Sequence, residues 1–251
     1  MLRQILEREL SIREILSNSW NIYSKQFKSI AIITLIIYVP INIILYLIGD
    51  TIVDIESLKN YSNVTKLLEN LFGIIATMGI AVVVERTITS ENDMEASWGE
   101  AISTAFSRWG SCIGTNLLGG LIILGLSILL IIPGLIWALY YAFSVQVVVL
   151  KNIGGKKALD YSKSLVKGQW WETFGTLFVL GIIGILIGIV IGIVIEFFSP
   201  YLPDSSSIIT DTALDIVGAF FTVAFTVYFI NIDFLSNNNT LSENDNTYID
   251  F

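Results

Sequence analysis

Apolar residues in this chain gather into long unbroken runs separated by short polar stretches. A helix needs roughly 20 predominantly apolar residues to cross a bilayer. Six runs meet or approach that length: Ile30–Ile48, Leu68–Arg86, Ile113–Ile132, Gly134–Leu150, Phe174–Phe198 and Ala213–Ile232. The second is the least clear, because its clean apolar stretch is confined to Leu71–Val84. Pro133-Gly134, a turn pair, divides the third run from the fourth and predicts a tight helical hairpin there. The expected fold is therefore all-α and polytopic, with residues 1–29 leading into a six-span domain over 30–235 and a polar, disordered tail over 236–251.

Between the runs the pattern changes to a helical period. Ser11-Ile12-Arg13-Glu14 is a capping-box sequence opening a helix with Ile12, Leu16, Ser19/Trp20, Tyr23 and Phe27 on one face. Ser97-Trp98-Gly99-Glu100 repeats the device before Ile102, Phe106 and Trp109. A third segment runs from Gly155 through Ala158, Leu159, Ser162, Leu165 and Val166 to Trp170-Trp171. Apolar faces flanked by Lys and Trp predict about three amphipathic helices at the headgroup level, with Trp20, Trp98, Trp109, Trp170 and Trp171 as interfacial anchors. Each precedes an outward-going span, which predicts a threefold repeat of one amphipathic helix plus two spans.

Composition agrees with the span count. Of 251 residues 54% are hydrophobic and 14% charged, with mean hydropathy +0.72. A soluble domain devotes about a quarter of its residues to charge. Twelve of the 14 Lys and Arg residues fall before the first span, between spans two and three, or between spans four and five; only Lys59 and Lys66 lie opposite. The positive-inside rule then places both termini in the cytoplasm. Dropping the second span would put the two basic clusters on opposite sides of the membrane.

Charge and residue inventory also exclude chemistry. The chain has no histidine, and Cys112 is its single cysteine, which removes disulfides, Cys/His zinc sites and Ser–His or Cys–His nucleophile pairs. A net charge of −8 offers no basic footprint for nucleic acid. Glycine-rich phosphate loops, glycosidase-type carboxylate pairs and acidic metal cages are absent; Gly154-Gly155-Lys156-Lys157 lacks the remaining P-loop spacing. No catalytic residue, cofactor site or metal site is expected.

Two kinds of residue remain as candidates. Gly184, Gly188 and Gly192 recur every fourth position in the fifth run, with Gly181 one turn earlier, and form a packing seam for a helix of the same chain or of a second copy. Polar groups inside spans are costly and therefore functional candidates: Asn42, Glu85, Asn116, Gln146 and Asp215. Glu85 and Asp215 lie near span ends, where water reaches them.

Several of these stretches resemble a known membrane domain. Ser11-Ile12-Arg13-Glu14-Ile15-Leu16 with Trp20, Tyr23 and Phe27 is one. Ile132-Pro133-Gly134-Leu135-Ile136, Ala142-Phe143-Ser144, Gly154 through Ser162, and Lys167-Gly168-Gln169-Trp170-Trp171 are others. Together, over about Ser11 to Asp233, they resemble the membrane domain associated with glycerophosphoryl diester phosphodiesterases and the related YciC-like inner-membrane proteins. The resemblance implies an integral protein of a prokaryotic cytoplasmic membrane. The hydrolase domain of the fusion proteins has no counterpart here, so its activity does not carry over.

The leading expectation is a non-enzymatic protein that organises membrane lipids or a membrane-protein partner, homodimer included. The alternative is a small transporter or exporter of a lipid-like or peptide substrate. A cavity lined by Asn42, Asn116 or Gln146 would favour transport; densely packed spans would oppose it.

Overall fold

A computed structural model describes residues 5–49, 54–90, 96–198, 201 and 206–246. Among the described residues the chain is helical with no strand. Six of its helical stretches are long and apolar enough to cross a membrane.

The first helix, α1 (Ile12–Lys25), starts on the expected capping box. Ser11 Oγ accepts from the Glu14 amide, and the Glu14 carboxylate accepts from the Ser11 amide at 3.1 Å. Its buried face is Ile15, Asn18, Ser19, Ile22 and Tyr23, and it packs against the last helix of the chain. After a break at Gln26, α2 (Phe27–Gly49) forms the first span. Pro40 lies inside α2, where it leaves the Ile36 carbonyl without its usual donor.

The second span is built in three parts: α3 (Ile55–Leu68), a π-helical turn (Glu69–Gly73) and α4 (Ile74–Thr89). This stretch, the least clear in the sequence, proves to be the centre of the bundle. Small and β-branched residues from Ile75 to Val84 let α4 fit between α2, α5, α7 and α10. Over its apolar window 56% is buried, against 6% for the fifth span.

Helix α5 (Trp98–Leu129) runs unbroken from its Ser97 cap. Half of the expected second capping box forms: Ser97 Oγ accepts from the Glu100 amide, but the Glu100 carboxylate pairs with Arg86 instead. The chain leaves α5 at Leu130, which is extended (φ −155°, ψ 131°), and enters α6 (Ile131–Tyr140). The hairpin break is thus at Leu130, three residues before the expected Pro133-Gly134. Pro133 sits in the first turn of α6, where its missing N–H costs nothing. Gly134 is needed for another reason: a β-carbon there would lie 1.9 Å from Ser127 Oγ.

The fourth span continues, after a turn at Tyr141–Phe143, as α7 (Ser144–Lys151). Asn152 closes α7 in the left-handed region (φ 56°), and Gly155 (φ 62°) follows. A β-carbon on Gly154 would meet Ser111 Oγ at 2.1 Å. The Gly154-Gly155 pair is therefore a close turn against α5. It leads into α8 (Gly155–Lys167), whose Ala158, Leu159, Ser162, Leu165 and Val166 are buried against the bundle. Ser162 repairs the break in the fourth span: its Oγ accepts from the Phe143 amide (3.1 Å) and donates to the Tyr140 carbonyl (2.7 Å).

Helix α9 (Trp170–Phe198) lies at the edge, touching α6, α8 and α10. Helix α10 (Ser206–Asn246) returns along α1, α2 and α4. It stays helical into the segment expected as a tail; residues 247–251 of that segment lie outside the described residues.

Candidate functional site

Tyr38, on α2, stands at the centre of a polar region between the spans. Its hydroxyl lies against Gly73 at the end of the π turn, 2.9 Å from where a β-carbon would be. On one side is a cavity of about 420 Å³, bounded by Glu69, Asn70 and Gly73 from the π turn, Thr77 from α4, and Ile113 and Asn116 from α5. On the other is a cavity of about 280 Å³ with Thr34, Thr77, Asp215, Gly218 and Thr222 in its wall. Tyr38 and Thr77 belong to both.

The wall is held by bonds between elements. Asn42 Nδ2 donates to Asp215 Oδ2 (3.0 Å) and Thr212 Oγ1 (3.1 Å), fixing the N-terminal part of α10 to α2. Trp109 Nε1 donates to the Leu71 carbonyl (2.6 Å) while its ring stacks on Phe72 at 5.6 Å. The π turn widens the backbone helix, and such turns recur at functional sites. Here its carbonyl and ring are pinned by α5. Asn116 Oδ1 accepts from Ser144 Oγ at 3.0 Å, which ties the larger cavity to α7.

A second polar cluster joins the opposite ends of the spans. Asp233 of α10 is 5% exposed. It accepts from the Tyr161 hydroxyl of α8 (2.5 Å) and pairs with Lys151 at the end of α7 (2.5 Å). Burial, then the bond to Asp233, pushes the Tyr161 phenol up. Glu85 lies within electrostatic reach of Lys151, Arg108 and Arg86. Arg108 itself donates to the Val149 carbonyl. Nearby, Asn231 of α10 captures the start of the chain: it donates to the Ile5 (2.7 Å) and Arg8 (2.8 Å) carbonyls and accepts from the Leu10 amide (3.2 Å).

The sequence candidates divide among these places. Asn42, Asn116 and Asp215 belong to the Tyr38 region and Glu85 to the Asp233 cluster. Gln146 is buried in α7, its Oε1 without a hydrogen-bond partner. Of the glycine seam, a β-carbon added at Gly184 would lie 3.5 Å from the Phe221 ring of α10, whereas one added at Gly181, Gly188 or Gly192 would meet open space. Trp20, Trp98 and Trp171 are exposed. Trp170 is half-buried beside Phe174, with ring centroids 5.4 Å apart. Trp109 is half-buried, and its indole N–H is committed to the π turn.

Sequence reasoning missed Tyr38, Glu69, Lys151, Tyr161, Asn231 and Asp233. Glu69 was passed over because the clean apolar run begins after it. Asn231 and Asp233 had a readable signal: two polar residues inside the run from Tyr228 to Leu235.

A helical bundle with six apolar stretches of this length, and polar groups turned inward rather than toward its apolar flank, is a multi-pass membrane protein. The chain belongs to the family described as Domain of unknown function (DUF7847), whose match covers residues 41–234. No curated relative and no solved structure matches it.

Proposed function

We propose that this protein moves a small amphipathic substrate, lipid-like or peptide, across the membrane. The observation that carries the reading is the cavity of about 420 Å³ between the spans, with Asn116 in its wall. Its lining mixes Glu69, Asn70, Thr77 and Tyr38 with Leu71, Ile74, Ile113 and Leu117. Ligand sites are typically concave and largely apolar, with a few convergent polar groups. A wall that is polar on one part and apolar on another suits a molecule with a headgroup and a hydrocarbon portion.

The membrane is the cytoplasmic membrane, with both termini inside, a reading supported by the Lys and Arg bias. The resemblance to the phosphodiesterase-associated membrane domain fits this plan and brings no hydrolase chemistry. A threefold repeat is supported by α1 and α8, separate helices each preceding a span; the unbroken α5 departs from it. The amphipathic faces of α1 and α8 serve first to pack on the bundle.

The test is flux. Liposomes containing the protein should equilibrate a fluorescent short-chain lipid or peptide several-fold faster than empty vesicles, and Asn116→Phe should slow that rate by filling the cavity. Equal rates with and without protein, for lipid and peptide probes alike, would sink the reading.

A second reading, the organising of lipids or a partner, is supported by α9. Beyond Gly184 its exposed residues include Ile185, Leu186, Ile189, Val190 and Ile193. Native mass spectrometry of protein released gently from its own membrane distinguishes the two. A stoichiometric lipid or protein companion favours organisation, and a bare monomer or dimer favours transport.

A further inference from the structure

Each of the two cavities beside Tyr38 carries one carboxylate: Glu69 in the larger and Asp215 in the smaller. No lysine or arginine lines either one. Among the described residues neither carboxylate has an ion pair. Asp215 is held in place by a neutral donor, Asn42 Nδ2, which orients the group without cancelling its charge. Asp215 is half-buried among the spans, where an ionised group without a counter-charge or a proton is costly, while Glu69 is exposed at the rim of the larger cavity. Tyr38 lines both cavities, and an aromatic ring stabilises organic cations placed over its face.

We propose that the paired cavities receive the positively charged end of an amphipathic ligand, an amine or alkylammonium headgroup, with Glu69 and Asp215 as counter-charges on either side of Tyr38. The apolar wall formed by Leu71, Ile74, Ile113 and Leu117 takes the hydrocarbon portion. Room matches the chemistry: a substituted ammonium group fits within about 280 Å³, and the larger cavity leaves space for the chain beyond it. This inference rests on the transport reading and narrows its substrate to cationic amphiphiles.

The buried Cys112 gives a clean background for testing it in the whole protein. Asn70→Cys places a thiol in the larger cavity and Gly218→Cys one in the smaller, at a glycine with nothing within 4 Å of an added β-carbon. Both are treated in proteoliposomes with a trimethylammonium-ethyl and a sulfonatoethyl methanethiosulfonate. Rates are normalised to those of each reagent with a free thiol. The cationic reagent should then be favoured by about tenfold, the effect of one nearby charge at intermediate dielectric. Glu69→Gln should erase the preference at position 70, and Asp215→Asn at position 218. Asp215→Asn keeps an oxygen for Asn42 to donate to, so its effect reports charge and not a disturbed wall. Equal normalised rates for the two reagents would overturn the cation inference and leave the transport reading standing. Labelling by neither reagent would overturn both, because the cavities would then be closed to solutes.

Discussion

The hydroxyl of Tyr38 occupies the space that a side chain on Gly73 would need, 2.9 Å from the position of its β-carbon. The residue that divides the two cavities is therefore seated by a glycine on the neighbouring span.

Gly73→Ala should push the Tyr38 ring out of that seat and destabilise the protein by about 1–3 kcal/mol, the usual cost of overpacking. In a Tyr38→Phe background the cost should fall, since the next ring atoms stand 3.5 and 3.6 Å from the β-carbon, ordinary contact distances. Thermal unfolding of the two singles and the double in lipid nanodiscs checks this. Strictly additive losses would show that the two residues do not share the space.

Asp233 and Lys151 form an ion pair whose acid is buried and whose base is partly exposed. Removing one partner leaves a charge without its mate, and Asp233→Leu should cost about 2–4 kcal/mol, somewhat below a fully enclosed pair. Combining it with Lys151→Met should recover part of that loss. A double variant no more stable than Asp233→Leu alone would assign the effect to the Tyr161 bond instead.

Asn231→Ala strips three backbone groups of their partner at once, the carbonyls of Ile5 and Arg8 and the amide of Leu10. The two buried groups, the Ile5 carbonyl and the Leu10 amide, each cost about 1–3 kcal/mol when abandoned, and the part-buried Arg8 carbonyl costs less. The segment before α1 should come loose first. Limited proteolysis there should accelerate at least tenfold while the spans stay protected. Unchanged cleavage would mean that α1 alone holds the segment.

Glu14 predicts an acid-sensitive start to α1. The Arg8 guanidinium, followed by the Ser11 hydroxyl and amide, holds its carboxyl down at about 2 against an ordinary 4.5. A depressed folded value means the contribution is complete above pH 4.5 and is lost as pH falls toward 2. Hydrogen exchange of the first-turn amides should rise over that interval, beyond the intrinsic pH trend. Glu14→Gln should remove the extra rise; its persistence would place the titration elsewhere.

The six spans were legible because a bilayer imposes length and composition on each helix separately, and both can be counted in a sequence. How the helices face one another was not. The second span looked weakest because Glu69 and Asn70 interrupt it, yet those residues line the larger cavity and the rest of the span is the bundle's axis. Asn42, Asn116 and Asp215 were legible as polar residues in apolar runs. Their pairings were not, because Asn42 meets Thr212 and Asp215, and Asn116 meets Ser144, only once the helices pack. The break at Leu130 escaped notice for a local reason: proline is as welcome in a first helical turn as in a turn between helices. Trp109 was legible as a tryptophan beside basic residues, but the bond its N–H makes to a backbone carbonyl on another span was not.

The Asn231 tie spans 221 residues, from Leu10 to the last helix. A ribosome delivers the start of the chain long before it delivers that asparagine. Until the final span enters the bilayer, the Ile5–Leu10 backbone must wait on water or on a chaperone for its bonds. Completion of this fold is thus timed by the arrival of its last helix, and a chain stalled before residue 231 would expose its own beginning as the mark of an unfinished protein.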